Sequence, residues 1–547
     1  MNKLLYLLAS MALAHLALAQ NNKLSKYDVY KGKLNPMRSC YDVKFYDIQV
    51  KVIPNQKKLI GSNEIHFLAM NDFQKMQIDL DNRMRIDSVV FNQQLISFTR
   101  DSSIVIIDLS TKLKKNQHQQ VKVYFSGIPI EAKKAPWDGG FVWKKDSLGR
   151  DWVGVACESI GASVWLPSKD HWSDEPDSMR MNLIVPSDLV GVSNGKFSGK
   201  KDLHDGYTQY TWQVSYPINL YGITINIGKY EWINDTYHSR TEEKRDALNL
   251  SYYVLDYHVA IANKHFKQVH TMLSCYERFF GLYPFWNDGY KLVEAPYWGM
   301  EHQSCVAYGH DFSNNRYDFD FIIIHESAHE WFANSITADD PAEMWIHESF
   351  TTYAEALYVE CMQGKKVYVQ YLKDQKPEIK NKFPIIGERD VYFHGRTDND
   401  VYYKGSWVIH TMRHVIDDDA AFFSLLKKFY QTHQYKIINT DKIIRFFNNN
   451  TNRKWDAFFE QYLKQPELPL LEYKIDKGND GKLIVRYRWS SKTVKGFEMP
   501  IKVTMTKDKW ETVTPMKSWQ LIDLNFFDEM DFNIQTDHFL IKTKRIE

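Results

Sequence analysis

The segment FIIIHESAHEWFANS, residues 321–335, sets His325 and His329 four positions apart, with Glu326 directly after the first histidine. An α-helix advances about 100° per residue, so positions i and i+4 lie about 40° apart on one face. Both rings can then aim at a single point, with a carboxylate beside it. Two readings suit such a pair: a metal site, or two core histidines that each find a backbone carbonyl. A third ligand decides between them, because zinc takes three protein ligands in a catalytic site and leaves the fourth position to water. Glu348, within WIHESFTTY, follows His329 after an interval of eighteen residues and supplies a candidate. The pair and the spaced glutamate together favour one zinc per chain, held by His325, His329 and Glu348.

The elements around these residues must bring Glu348 back to the histidines. Helical spacing runs through the first segment and again through DPAEMWIHESFTTYAEALYVE, which opens on Asp340, Pro341 and Glu343 in a capping arrangement. An antiparallel return of the second helix would carry its carboxylate to the same metal. Residues 259–281 also have helical spacing and end at Gly281, and GYKLVEAP reads as a short strand. Helical sequence continues to about Lys464, where QPELPL marks a boundary.

Upstream the pattern is different. From Tyr41 apolar and polar residues alternate, with Tyr41, Val43 and Phe45 followed by Ile48, Val50 and Val52 after a shift of phase. Period-two apolarity between turn residues predicts antiparallel sheet. Beyond residue 465, GKLIVRYRW alternates again after GNDG, a hairpin turn signal. The expected architecture is α+β and multidomain: an N-terminal antiparallel β-domain over 25–240, a mostly helical catalytic domain over 241–465, and a small C-terminal β-sandwich over 466–547.

The chain has 547 residues, 69 Lys and Arg against 68 Asp and Glu, and a formal net charge of +1. That balance gives no electrostatic reason to expect nucleic acid or an anionic membrane surface as partner. Residues 1–19 carry Lys3, an apolar run and Ala17-Leu18-Ala19, the pattern of a secretory signal peptide cut after Ala19. Export to a periplasmic or extracellular compartment follows, with no membrane span after cleavage. Five widely spread cysteines do not indicate a disulfide framework. Asn234, Asn249 and Asn449 sit in glycosylation sequons.

Four stretches carry a family resemblance. The histidine pair, with its glutamate after an interval of eighteen residues, resembles the zinc aminopeptidases typified by aminopeptidase N and the leukotriene hydrolases. WGMEHQ (298–303) is similar to that family's exopeptidase motif, usually Gly-x-Met-Glu-Asn. VYYKG (401–405) resembles the segment bearing its transition-state tyrosine, and ACES (156–159) the β-domain segment that reaches into the active site. The resemblance spans roughly residues 40–465 and implies a thermolysin-like catalytic domain. Trp298, His302, His347 and Ser349 depart from the usual residues. The short C-terminal region cannot supply the long helical domain that roofs the site in many members, so a more open cleft is expected.

The resemblance implies a role for each residue. Glu326, beside a ligand but not itself one, takes a proton from water and returns it to the leaving amine. A tyrosine donates to the oxyanion: Tyr402 by its place in the motif, with Tyr403 adjacent. Gly299, Met300 and Glu301 form the substrate wall, and Glu301, with Glu158 as auxiliary, holds the free ammonium of a peptide by charge-assisted hydrogen bonds. The function expected is release of N-terminal residues from peptides. A zinc endopeptidase on the same core is the nearer rival, against which Glu301 argues, because a buried carboxylate there rejects a continuing chain. A catalytically inactive peptide-binding scaffold is a rival of another class. The joint presence of His325, Glu326, His329, Glu348 and a candidate tyrosine speaks against it.

Overall fold

The computed structural model describes residues 26–547, apart from 159, 242–245, 393–397, 507–508 and 526. The expected signal peptide lies outside the described residues. The first described element is a short helix, Lys26–Gly32 (α1). An eight-stranded sheet follows, in which Tyr41–Ile53 lies between Lys58–Ala69, antiparallel, and Ser178–Pro186, parallel. The phase shift seen in the sequence is a β-bulge: the register slips between Val43 and Phe45. The extra residue keeps Val43 on the buried face before the bulge and Ile48, Val50 and Val52 on it afterwards. Smaller sheets of four and three strands complete this β-rich region.

A five-stranded sheet underlies the helices. Tyr230–Tyr237 pairs antiparallel with Leu248–Leu255, which runs parallel to Tyr290–Glu294 and through it to Val306–Tyr308. Gly299–Met300 forms the antiparallel edge. Strands from both sides of residue 240 therefore share one sheet. The helices that matter for the site are Gln268–Phe279 (α2), Phe321–Ala328 (α3), Trp345–Gln363 (α4) and Tyr403–Ile416 (α5). The single helix expected over 259–281 is broken at Phe266 and Lys267, and the break seats Phe266 among Tyr252, Tyr308 and Phe312. Asp340 caps, through Ala342 N at 2.8 Å, a one-turn 3-10 helix that precedes α4 rather than α4 itself.

The C-terminal strands form a four-stranded sheet and a separate hairpin. Among the described residues their own core holds Leu483, Val485 and Leu524, whereas Trp489, Phe497, Ile501 and Leu540 join the core of the helices. This region is thus docked on the helices by shared apolar burial. Cys275 on α2 and Cys361 on α4 form a disulfide with a Cα–Cα distance of 6.2 Å, a pairing the cysteine spacing did not indicate. Among the described residues no helix is long and apolar enough to cross a membrane.

Candidate metal centre and substrate cleft

Asp320 fixes the start of α3. Its carboxylate accepts from Ile322 N at 3.0 Å and Tyr308 Oη at 2.8 Å, and it pairs with His265 Nε2 at 2.8 Å. Burial opposes that charge, but the bonds from His265, His310 and Tyr308 hold the carboxyl down to about 2. One turn later His325 and His329 face α4. Their Nε2 atoms lie 3.3 Å apart and stand 3.6 and 3.5 Å from Glu348 Oε2. Zinc bonds of about 2.0–2.1 Å in a tetrahedron set ligand atoms about 3.3 Å apart, so these three atoms fit one ion. Glu348 Oε2 is buried with no hydrogen-bond partner, a further mark of a ligand.

The outer ring nitrogens are committed elsewhere. His325 Nδ1 is 2.6 Å from Glu355 Oε1, and His329 Nδ1 is 3.0 Å from Phe332 O. Donation from each Nδ1 leaves each Nε2 lone pair free for a metal. Glu355, which the sequence left open between supporting a ligand and lying on the exposed face of its helix, is 2% exposed and also accepts from Tyr371 Oη. Its signal was present, because Glu355 lies seven positions after Glu348 on the same face of α4.

Glu326 is buried beside the pair, its pKa raised by burial against the opposing pull of His325 and His329. Gly299 makes room for it, since a Cβ there would meet Glu326 Oε1 at 2.7 Å. Ladder pairing of Gly299 with Tyr308 and Met300 with Ala307 delivers Glu301 directly to the site, 3% exposed and with Oε1 unpartnered. Burial, then the charge of Glu158, pushes the Glu301 carboxyl well above the usual range. Glu158 behaves alike, raised by burial and by Glu348 and Glu326.

Tyr402 and Tyr403 both line the cleft, but they face different groups. Burial and the carboxylates of Glu348, Glu158, Glu301 and Glu326 keep the Tyr402 phenol protonated, and its ring is 6.2 Å from that of His325. Apart from burial, Tyr403 answers to Glu355 and Glu378. Ser349 ties α4 to the turn before α5 by donating to Val401 O at 2.6 Å. Gly405 is required opposite it, because a Cβ would lie 1.7 Å from Ser349 Oγ.

Two of the departures from the family pattern, Trp298 and His347, have local explanations. Trp298 stacks on Phe321 at 5.5 Å, and Phe321 on His325 at 5.1 Å, which builds an aromatic wall down to the histidine pair. His347 accepts from Ala338 N at 2.9 Å and stacks on Trp172 at 5.2 Å, and burial lowers its pKa to about 3. His302 is fully buried with both ring nitrogens unpaired, and nothing in the structure gives it a partner among the described residues. All the candidate site residues line one cavity of about 530 Å³.

Residues 268–462 match the Peptidase family M1 domain. Aminopeptidase M1 of Arabidopsis thaliana is 23% identical over 340 residues, covering 57% of this chain and 36% of that protein. Tricorn protease-interacting factor F2 of Thermoplasma acidophilum is 20% identical over 520 residues, covering 90% of this chain and 61% of its own length. The chain thus spans less than two thirds of these curated relatives. An M1 zinc metallopeptidase of Deinococcus radiodurans, solved with a Tyr-Ser-Ala substrate, shares the fold at a TM-score of 0.66 and 20% identity, over 78% of this chain and 95% of that one.

Proposed function

We propose that the chain, whose residues 268–462 match the Peptidase family M1 domain, is a zinc aminopeptidase that removes N-terminal residues from peptides. The observation that carries this reading is the pair of buried, unpartnered carboxylate oxygens, Glu301 Oε1 and Glu158 Oε1, in the cavity of the histidine pair. Like charges held together in a buried site repel, and an incoming ammonium relieves that cost. The Tyr-Ser-Ala peptide held by the Deinococcus protein supports peptides as the substrate class.

His325, His329 and Glu348 would hold the zinc, which when bound acidifies water and polarises a carbonyl. Glu326 takes the proton of the attacking water and passes it to the departing amine. The Tyr402 hydroxyl donates to the oxyanion as it forms. Glu301, assisted by Glu158, fixes the ammonium and so sets which bond reaches Glu326. Tyr402→Phe should lower kcat by about 10²–10³ with KM little changed. If Tyr403→Phe gives that loss instead, the donor is the neighbouring residue.

Glu301→Ala should weaken free-amine substrates by about 2–5 kcal/mol, the range for truncating one partner of a buried charge pair. Glu158→Ala should act in the same direction and more weakly. An unchanged KM and kcat in Glu301→Ala would remove the anchoring role. Export is supported by the signal-like residues 1–19 and by the Cys275–Cys361 disulfide, which suits an oxidising compartment. The domain limits of 25–240, 241–465 and 466–547 are proposed as working boundaries.

A further inference from the structure

Helix α1 precedes the first strand and nonetheless lines the cavity of the candidate metal site, through Lys31 and Gly32. It is pinned from both sides. Towards the β-domain, His171 Nε2 is 3.0 Å from Gly32 O, and Arg38 donates to Lys31 O and Lys33 O. Arg38 is itself fully buried in a pair with Asp79 at 2.5 Å. Towards the catalytic domain, Tyr392 N donates to Asp28 O at 2.8 Å, and a Cβ on Gly32 would lie 2.1 Å from Val391 C.

Lys31 is only 6% exposed. Its ammonium reaches Asp170 at 3.8 Å, lies 3.8 Å from the centre of the Tyr392 ring and donates to Ile160 O at 3.3 Å. Tyr392 Oη donates to the same carbonyl at 2.7 Å. Ile160 stands two residues after Glu158, so both contacts hold the loop that carries the auxiliary anchor. With its charge matched by Asp170, Lys31 serves as wall.

We propose that α1, clamped by Tyr392 and the Ile160 carbonyl, is the wall that sets the length of peptide the cleft admits and the placement of the Glu158 loop. This rests on the aminopeptidase reading. With the ammonium fixed at Glu301, the rest of the peptide must extend along the cavity. Its 530 Å³ suits a drug-sized ligand, on the order of a tri- or tetrapeptide. Longer chains meet α1 and the segment around Val391.

The test is a series of free-amine peptides with one N-terminal residue and two to ten residues in all, assayed with the full chain. In the wild type, kcat/KM should fall by about tenfold or more between the four-residue and ten-residue peptides. Gly32→Ala, which pushes α1 off Val391, should narrow that gap to about threefold or less. Lys31→Met should narrow it too, and should also raise KM for the dipeptide without lowering kcat, because the Glu158 loop loosens. A flat wild-type series overturns the proposal whatever the variants do. So does an undiminished gap in both variants at wild-type melting temperature. Failure to cleave any free-amine peptide would instead remove the aminopeptidase reading.

Discussion

Glu326→Gln is expected to keep the fold and the metal while turnover falls by about 10²–10⁴, the contribution of a positioned general base. The amide matches the carboxylate in shape, so it still fits against Gly299, where a Cβ would come within 2.7 Å of the Glu326 Oε1, but it cannot accept the proton of water. The measurement is kcat on a free-amine substrate beside metal content by mass spectrometry and a thermal melt. A variant that retains more than about a tenth of wild-type turnover with metal in place would not fit the role, since that is less than a base contributes.

Glu348→Ala is expected to remove both metal and activity. It takes away the third ligand and leaves two Nε2 atoms 3.3 Å apart, a pair that alone does not make the three-ligand catalytic site. Zinc per chain should drop well below one, and turnover should fall to the level of wild type treated with phenanthroline. Glu355→Gln should be milder, on the order of 10–100-fold in affinity or activity, because it orients His325 without binding metal. Wild-type protein that is zinc-free as purified and indifferent to the chelator would refute the metal site itself.

The candidate site's placement was legible in the sequence because helical geometry turns spacing into direction. Four residues put His325 and His329 on one face, and the second helix needed only to fold back for Glu348 to complete the set. The shift of apolar phase was legible for a similar reason, although the sequence kept Phe45 in the first phase and the bulge falls before it. What was not legible depends on long-range contact. Glu355 looked like any carboxylate on a helix until α4 packed against His325. Cys275 and Cys361 are separated by 86 residues, and only the packing of α2 on α4 brings them together. The place of α1 in the cleft wall depends on Arg38, His171, Ile160 and Tyr392, four residues scattered along the chain.

The central claim is that a free ammonium at Glu301 and Glu158 decides which bond is cut. Its most direct measurement is mass spectrometry of products from a tetrapeptide and its N-acetyl form, each incubated with the wild-type chain, with and without phenanthroline. The account predicts loss of the first residue from the free peptide, suppression by the chelator, and an intact acetylated peptide. Efficient cleavage of an internal bond in the acetylated peptide would contradict it and make the chain an endopeptidase.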